Sequence, residues 1–228
     1  MSNYVIDPPA VTAVPVAGGG SFPVRRIFCV GRNYAEHARE MGHDPDREDP
    51  FFFTKPADAL LINGADMPYP SKTSDLHHEM ELVVAIGTGG KDIPEAEALA
   101  HVYGYAAGLD MTRRDLQATA KKAGRPWDMA KGFDGSGPIG EIVPASRAGH
   151  PSAGRIALTV NGVLRQDSDL SKQIWNVAET IAYLSGLVEL KPGDLIFTRT
   201  PEGVAAVSKG DVLEGEIAGI GTVRTRIA

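Results

Sequence analysis

Residues 74–87 read Ser-Asp-Leu-His-His-Glu-Met-Glu-Leu-Val-Val-Ala-Ile-Gly. The apolar run that ends at Gly87 is rich in Val and Ile, which marks a strand closed by a turn. Glu79 and Glu81 stand at its mouth, two residues apart. Side chains two apart on a strand point to the same side. Two acids held side by side against a buried strand are costly unless a positive partner lies between them. A divalent cation with oxygen ligands is the simplest such partner. The competing reading is a pair of acids on a solvated sheet edge.

The chain on either side is a succession of short strands. Upstream, Arg26–Val30 is an apolar strand, Tyr34–Met41 has helical composition and Gly42 stops it, and His43–Pro50 is a charged, Pro-bearing loop. Ala59–Ile62 is followed by Asn63-Gly64, a strong turn signal. Downstream, His101–Leu109 reads as a strand whose glycines, Gly104 and Gly108, mark a bulge or a close approach. Thr112–Ala123 reads as a helix closed by Gly124 and Pro126, and 131–140 is too glycine-rich for a regular element. Ile156–Val160 and Val163–Gln166 flank Asn161-Gly162 as a hairpin. Asn176 and Glu179 form a capping pair for a helix whose apolar face is Val177, Ile181 and Leu184. Leu195–Thr198, Val212–Ile217 and Thr222–Ile227 complete the strands. Many short strands with few modest helices predict an α+β, mixed-β architecture and exclude a doubly wound sheet.

Length and composition agree. The 228 residues suit a short N-terminal extended lead over 1–25 and one domain over 26–228. A hydrophobic fraction of 43% predicts a real core, and 26 Gly with 16 Pro predict many turns. The formal net charge is −6 and no basic stripe stands out, which argues against nucleic acid as a partner. Cys29 is the sole cysteine, so no internal disulfide forms, and its apolar surroundings predict a buried thiol. The first residues lack a basic start followed by an apolar core, and no stretch approaches the roughly 20 apolar residues of a membrane span, so a cytoplasmic protein with no membrane partner is expected.

Asp110 is the natural third acid, because it sits where an apolar strand gives way to a helix. With Glu79 and Glu81 it makes an oxygen-only set that favours Mg2+ or Mn2+ over zinc; its competing role is a helix N-cap. His37 and Glu40 lie three apart on the short helical segment, one face, and a carboxylate beside an imidazole makes a general base for water. The competing reading is a surface salt bridge. Lys131, ahead of a backbone-exposing loop, either balances the acids, meets a substrate carboxylate or is simply solvated. Gln117 lies four residues from Arg113 and shares its face. Thr200-Pro201-Glu202-Gly203 is a tight turn able to hold an anionic oxygen. There is no Gly-x-Ser-x-Gly elbow and no dinucleotide fingerprint.

Five blocks in order, Val30–Tyr34, Glu79–Glu81, Gly108–Gln117, Lys131–Asp134 and Leu195–Val204, resemble the fumarylacetoacetate hydrolase family. Thr73–Glu79, Gly124–Asp128 and Phe22–Arg26 resemble its bacterial branch that hydrolyses fumarylpyruvate. The resemblance implies a mixed β-sandwich roll with few short helices, a homodimer or larger assembly, and Mg2+ or Mn2+ as cofactor. It implies Glu79, Glu81 and Asp110 as metal ligands, His37, Glu40 and Lys131 as catalytic residues, with the dyad on a lid at 33–50, and Arg32, Gln117, Thr200 and Arg199 on the substrate side. The expected activity is cleavage of a C–C bond in a 2,4-dioxo acid of aromatic catabolism, foremost fumarylpyruvate of the gentisate route. Oxaloacetate decarboxylation, acylpyruvate hydrolysis and dienoate isomerisation or decarboxylation are the alternatives. Two positions depart from the family pattern: Arg199 and Ala205 stand where glycine is usual. Arg199 adds a cation beside the anion site and, where φ is positive, strains the backbone.

Overall fold

The computed structural model describes residues 4–31, 33–34, 48–62 and 64–228. Its central strand is β7 (Met80–Ile86), in which every residue is buried. β7 pairs antiparallel with β8 (Val102–Leu109) on one side and with β14 (Asp194–Phe197) on the other. The sheet extends through β3 (Arg26–Val30), parallel to β14, to β4 (Phe52–Lys55), and is closed at its far edge by β11 (Val143–Pro144). Leu82, Val84 and Ile86 of β7 enter one apolar core, while Val83 and Ala85 enter another on the opposite face. A strand covered on both faces reads as an unbroken apolar run, which is why residues 82–86 show no polar alternation.

The first core is closed by a four-stranded antiparallel sheet in the order β13 (Val163–Asp169), β12 (Arg155–Val160), β16 (Val212–Ile217), β17 (Gly221–Arg226). Ile156, Leu158, Leu213 and Val223 share that core with Leu82 and Val84. Asn161 and Gly162, at φ 52° and 75°, form the two-residue turn between β12 and β13. The second core is covered by a hairpin of β1 (Ala13–Pro15) and β2 (Ser21–Pro23), which buries Val14 and Phe22. The smaller sheets are β5 (Leu60–Leu61) with β10 (Gly137–Pro138), and β6 (Leu76–His77) between β9 (Thr112–Arg113) and β15 (Ala206–Val207). The whole is an α+β fold of mixed sheets with few short helices.

Among the described residues the α-helices are Glu95–Ala98, Arg114–Lys122, Asp128–Lys131, Ala145–Ala148 and Val177–Leu187. The last carries the expected reciprocal cap between Asn176 and Glu179 and packs Ile181 and Leu184 into the first core. It runs one residue past Gly186, to Leu187. The helix expected at Thr112 starts instead at Arg114, because Thr112 and Arg113 pair with His77 and Leu76. Residues Asp128–Lys131 make one helical turn, closed by the amide of Lys131 donating to the carbonyl of Trp127 at 2.9 Å, and Gly137–Pro138 pair with Leu60–Leu61, so the stretch 131–140 does hold a regular element despite its glycines. A Cβ on Gly108 would lie 2.6 Å from Val83 Cγ2 and 2.9 Å from Phe197, so this strand glycine marks a close approach. Cys29 is buried, and burial pushes its thiol well above the usual range. Among the described residues no helix is long and apolar enough to cross a membrane.

Candidate active site

Three carboxylates meet where β7 and β8 run side by side. Glu81 pairs with Gly108 in the ladder, and one step further the amide of Asp110 donates to the carbonyl of Glu79 at 2.8 Å. Backbone pairing thus brings together acids that are 31 residues apart. Glu79, Glu81 and Asp110 are each fully buried, and one oxygen from each lies within 4.8 Å of the others. Asp110 is therefore not the cap of the following helix, whose N-cap is Arg113.

Such a cluster needs positive charge. Lys131 Nζ donates to Glu79 Oε2 at 3.0 Å, to Asp110 Oδ2 at 2.6 Å and to the Thr112 hydroxyl at 2.6 Å. Lys55 Nζ stands 2.8 Å from Asp110 Oδ1, and Arg114 Nη2 stands 2.6 Å from Glu79 Oε1. Arg199 Nη1 lies 3.1 Å from Glu79 Oε2, and its amide donates to Glu81 Oε2 at 2.9 Å. Glu81 Oε1 has no hydrogen-bond partner among the described residues. Burial first, and then the charges of Asp110 and Glu79, push the Glu81 carboxyl well above the usual carboxylate range. A buried, oxygen-only set in which Glu81 Oε1 and Asp110 Oδ1 lack a hydrogen bond among the described residues, with a carboxylate that needs a counter-charge, fits Mg2+ or Mn2+. The cluster is a divalent-metal site.

The residues expected on the substrate side are oriented by their neighbours. Gln117 is buried, its Oε1 accepts from Arg114 Nη1 at 2.6 Å, and its Nε2 is left without a partner among the described residues. The sequence spacing paired Gln117 with Arg113, but Arg113 lies in β9 and donates instead to the carbonyl of Met129, while Arg114 opens the helix and meets Gln117 one turn on. Thr200 is buried, and its hydroxyl oxygen accepts from Gln166 Nε2 at 2.8 Å, which leaves its hydrogen to donate elsewhere. Gln166 is itself fixed by the amide of Met80, which donates to Oε1 at 3.0 Å. That oxygen also meets His78 Nδ1 at 3.0 Å, so the network assigns the proton of His78 to Nδ1. Burial lowers the His78 pKa to about 4. His77 points the other way, to Asp75 at 2.8 Å, and reaches the site's edge through Arg114.

The strand-to-turn position of Arg199 has φ 88°, the left-handed conformation that favours glycine. Lys55 and Gln166 were not singled out in the sequence; the signal for Lys55 was a lysine at the end of the aromatic run Phe51–Phe53, next to Pro56. Arg32, His37, Glu40 and most of the expected lid at 33–50 lie outside the described residues. Asn33 is described, and its amide ties the carbonyls of Trp175 and Thr198 at 2.8 and 2.9 Å, anchoring the start of that segment to the end of β14.

Comparison with known proteins follows the same outline. The chain is 53% identical to fumarylpyruvate hydrolase from Pseudomonas aeruginosa, whose crystal structure in complex with Mn2+ and pyruvate superposes with a TM-score of 0.97 over 99% of both chains. It is 49% identical over 185 residues to fumarylpyruvate hydrolase from Ralstonia sp, covering 80% of this chain and 96% of that one. It is also 42% identical over 203 residues to oxaloacetate tautomerase from Rattus norvegicus, covering 89% and 91%. Residues 26–228 match the family model described as fumarylacetoacetate (FAA) hydrolase C-terminal. By fold, by metal cluster and by sequence over nearly its whole length, the chain belongs to the fumarylacetoacetate hydrolase family.

Proposed function

We propose that this chain is a metal-dependent hydrolase that cleaves the C3–C4 bond of a 2,4-dioxo acid, converting fumarylpyruvate to fumarate and pyruvate. The observation that carries this reading is the buried Glu79–Glu81–Asp110 cluster with Lys131 Nζ at 3.0 and 2.6 Å from two of its members. The two relatives named fumarylpyruvate hydrolase support the substrate. When bound at the three acids, Mg2+ or Mn2+ supplies a Lewis acid for the negative charge that develops on the 2-oxo oxygen.

The chain's own residues do the rest. Lys131 adds fixed positive charge where the enolate forms, which is often the largest single catalytic contribution. The free amide hydrogens of Gln117 and the hydroxyl hydrogen of Thr200 offer donors to the substrate's oxygens, and each is held in that sense by a partner, Arg114 or Gln166. His37 and Glu40 take a proton from water, whose oxygen attacks C4. As that O–C4 bond forms, the C3–C4 pair passes to C3 as an enolate, and a proton then completes pyruvate. Four cations, Lys55, Lys131, Arg114 and Arg199, face three acids among the described residues, which favours a dianionic substrate. Arg32 and Arg199 serve the substrate side of this reading. The lid at 33–50, a homodimer and a cytoplasmic location belong to the same reading.

Turnover in 18O-labelled water tests it. Hydrolysis places the label in the newly formed carboxylate of fumarate; unlabelled products would contradict it. The tautomerase relative favours a second reading, proton transfer on oxaloacetate without bond cleavage, which would release no pyruvate.

A further inference from the structure

Lys55 is a fully buried lysine on β4 whose ammonium faces three protein oxygens among the described residues. Those oxygens are Asp110 Oδ1 at 2.8 Å, the Ser136 hydroxyl at 3.1 Å and the backbone carbonyl of Lys131. Ser136 in turn donates to that same carbonyl at 2.9 Å. An ammonium has three N–H donors, and three oxygens surround this one. Two of these donors go to the Lys131 carbonyl and the Ser136 hydroxyl, the Asp110 contact is an ion pair, and the Phe133 ring lies 6.0 Å from Nζ. The fully buried ammonium meets the site through Asp110 and the Lys131 carbonyl.

The arrangement divides Asp110 between two lysines. Oδ2 takes Lys131 Nζ at 2.6 Å, and Oδ1 takes Lys55 Nζ. A cation bound at the three acids would share Asp110 with the charge of Lys55. That charge draws electron density away from the carboxylate and repels the incoming cation. It also fixes the Lys131 carbonyl, and with it the root of the side chain that reaches Glu79 and Asp110.

We infer that Lys55 is a positioning residue that makes Asp110 a weaker ligand, so that the site binds its cation less tightly than three free acids would and stays electron-poor where negative charge develops on the substrate. Removing an outer partner that supports a ligand costs about 10- to 100-fold in affinity or activity; a cation paired with the ligand acts on affinity in the opposite sense. The inference rests on the three acids being the metal site, not on the identity of the dioxo acid.

The test is Mn2+ titration of the metal-free protein by calorimetry, for the wild type, Lys55→Met and Lys55→Gln, with kcat and KM measured at saturating Mn2+. Methionine preserves the bulk without charge. Glutamine retains a polar head and covers the case in which Lys55→Met fails to fold. The expected result is Mn2+ binding about tenfold tighter in both variants, from relief of cation–cation repulsion, with kcat about tenfold or more lower and KM within about threefold. A merely structural lysine would weaken Mn2+ binding and turnover together, and that outcome overturns the inference. So does Mn2+ affinity within twofold of wild type. If the variants bind Mn2+ more tightly while the wild type leaves fumarylpyruvate intact, the substrate reading fails and the role of Lys55 in cation affinity stands.

Discussion

The backbone amide of Arg199 donates to Glu81 Oε2 at 2.9 Å, and Arg199 makes this bond at φ 88°. The turn after β14 thus hands an N–H to a metal ligand from a conformation in which any side chain is strained. Arg199→Gly and Arg199→Ala both remove the guanidinium and its contact with Glu79, and differ only in backbone freedom. The alanine variant is expected to be less stable by about 1 kcal/mol. For a chain of this size that is a melting point about 2–4 °C lower. Equal melting points would show that the turn relaxes without cost.

Lys131→Met removes the ammonium from Glu79, Asp110 and the Thr112 hydroxyl. Loss of one preorganised electrostatic contact costs on the order of 100- to 1,000-fold in kcat. Circular dichroism should report a folded protein in the presence of Mn2+. A loss in kcat below tenfold would remove Lys131 from the chemistry.

Glu81→Gln keeps the shape of a metal ligand and removes its charge. Bound Mn2+ at a hundred times its dissociation constant stabilises a protein by about 2.7 kcal/mol, which is about 5–10 °C here. Wild-type protein should show that rise in a melting scan with added Mn2+, and Glu81→Gln should show less than about a fifth of it at the same concentration, since losing a ligand's charge lowers affinity strongly. The same rise in both would place the cation elsewhere.

His78 is buried with a pKa of about 4, lowered first by burial. The unfolded chain takes up this proton near pH 6.5 and the folded chain only near pH 4, so the unfolded state binds more protons between those values. Stability therefore falls as pH drops through that window, by about 2 kcal/mol between pH 7 and pH 5 from this group alone. Urea midpoints at the two values should differ for the wild type and differ less for His78→Asn, whose amide reproduces the Nδ1 donor toward Gln166. An unchanged pH dependence in the variant would assign the acid sensitivity to other groups.

The strands and the three acids were legible in the sequence because each is a local pattern. Residues 82–86 lack polar alternation, Asn161-Gly162 is a turn signal, and Asp110 marks the end of an apolar run. Register was not legible. That Asp110 sits opposite Glu79 depends on pairing between β7 and β8, and only the ladder fixes it. Lys55 and Gln166 escaped notice for the same reason. Each looks like an ordinary polar residue in its own strand, and each acquires a role from partners far along the chain, Asp110 and Lys131 for the one, Met80 and Thr200 for the other. The exchange of Arg113 for Arg114 beside Gln117 came from a helix start two residues later than Thr112 suggested, because strand pairing with residues 76–77 took precedence over helical composition.

The most direct measurement is pyruvate release from fumarylpyruvate at saturating Mn2+, with acetylpyruvate and oxaloacetate in parallel and a chelator-treated control. The account predicts a clear preference for fumarylpyruvate, abolished by chelator and restored by Mn2+. Turnover of oxaloacetate alone, or turnover of fumarylpyruvate that survives complete removal of the metal, would contradict it.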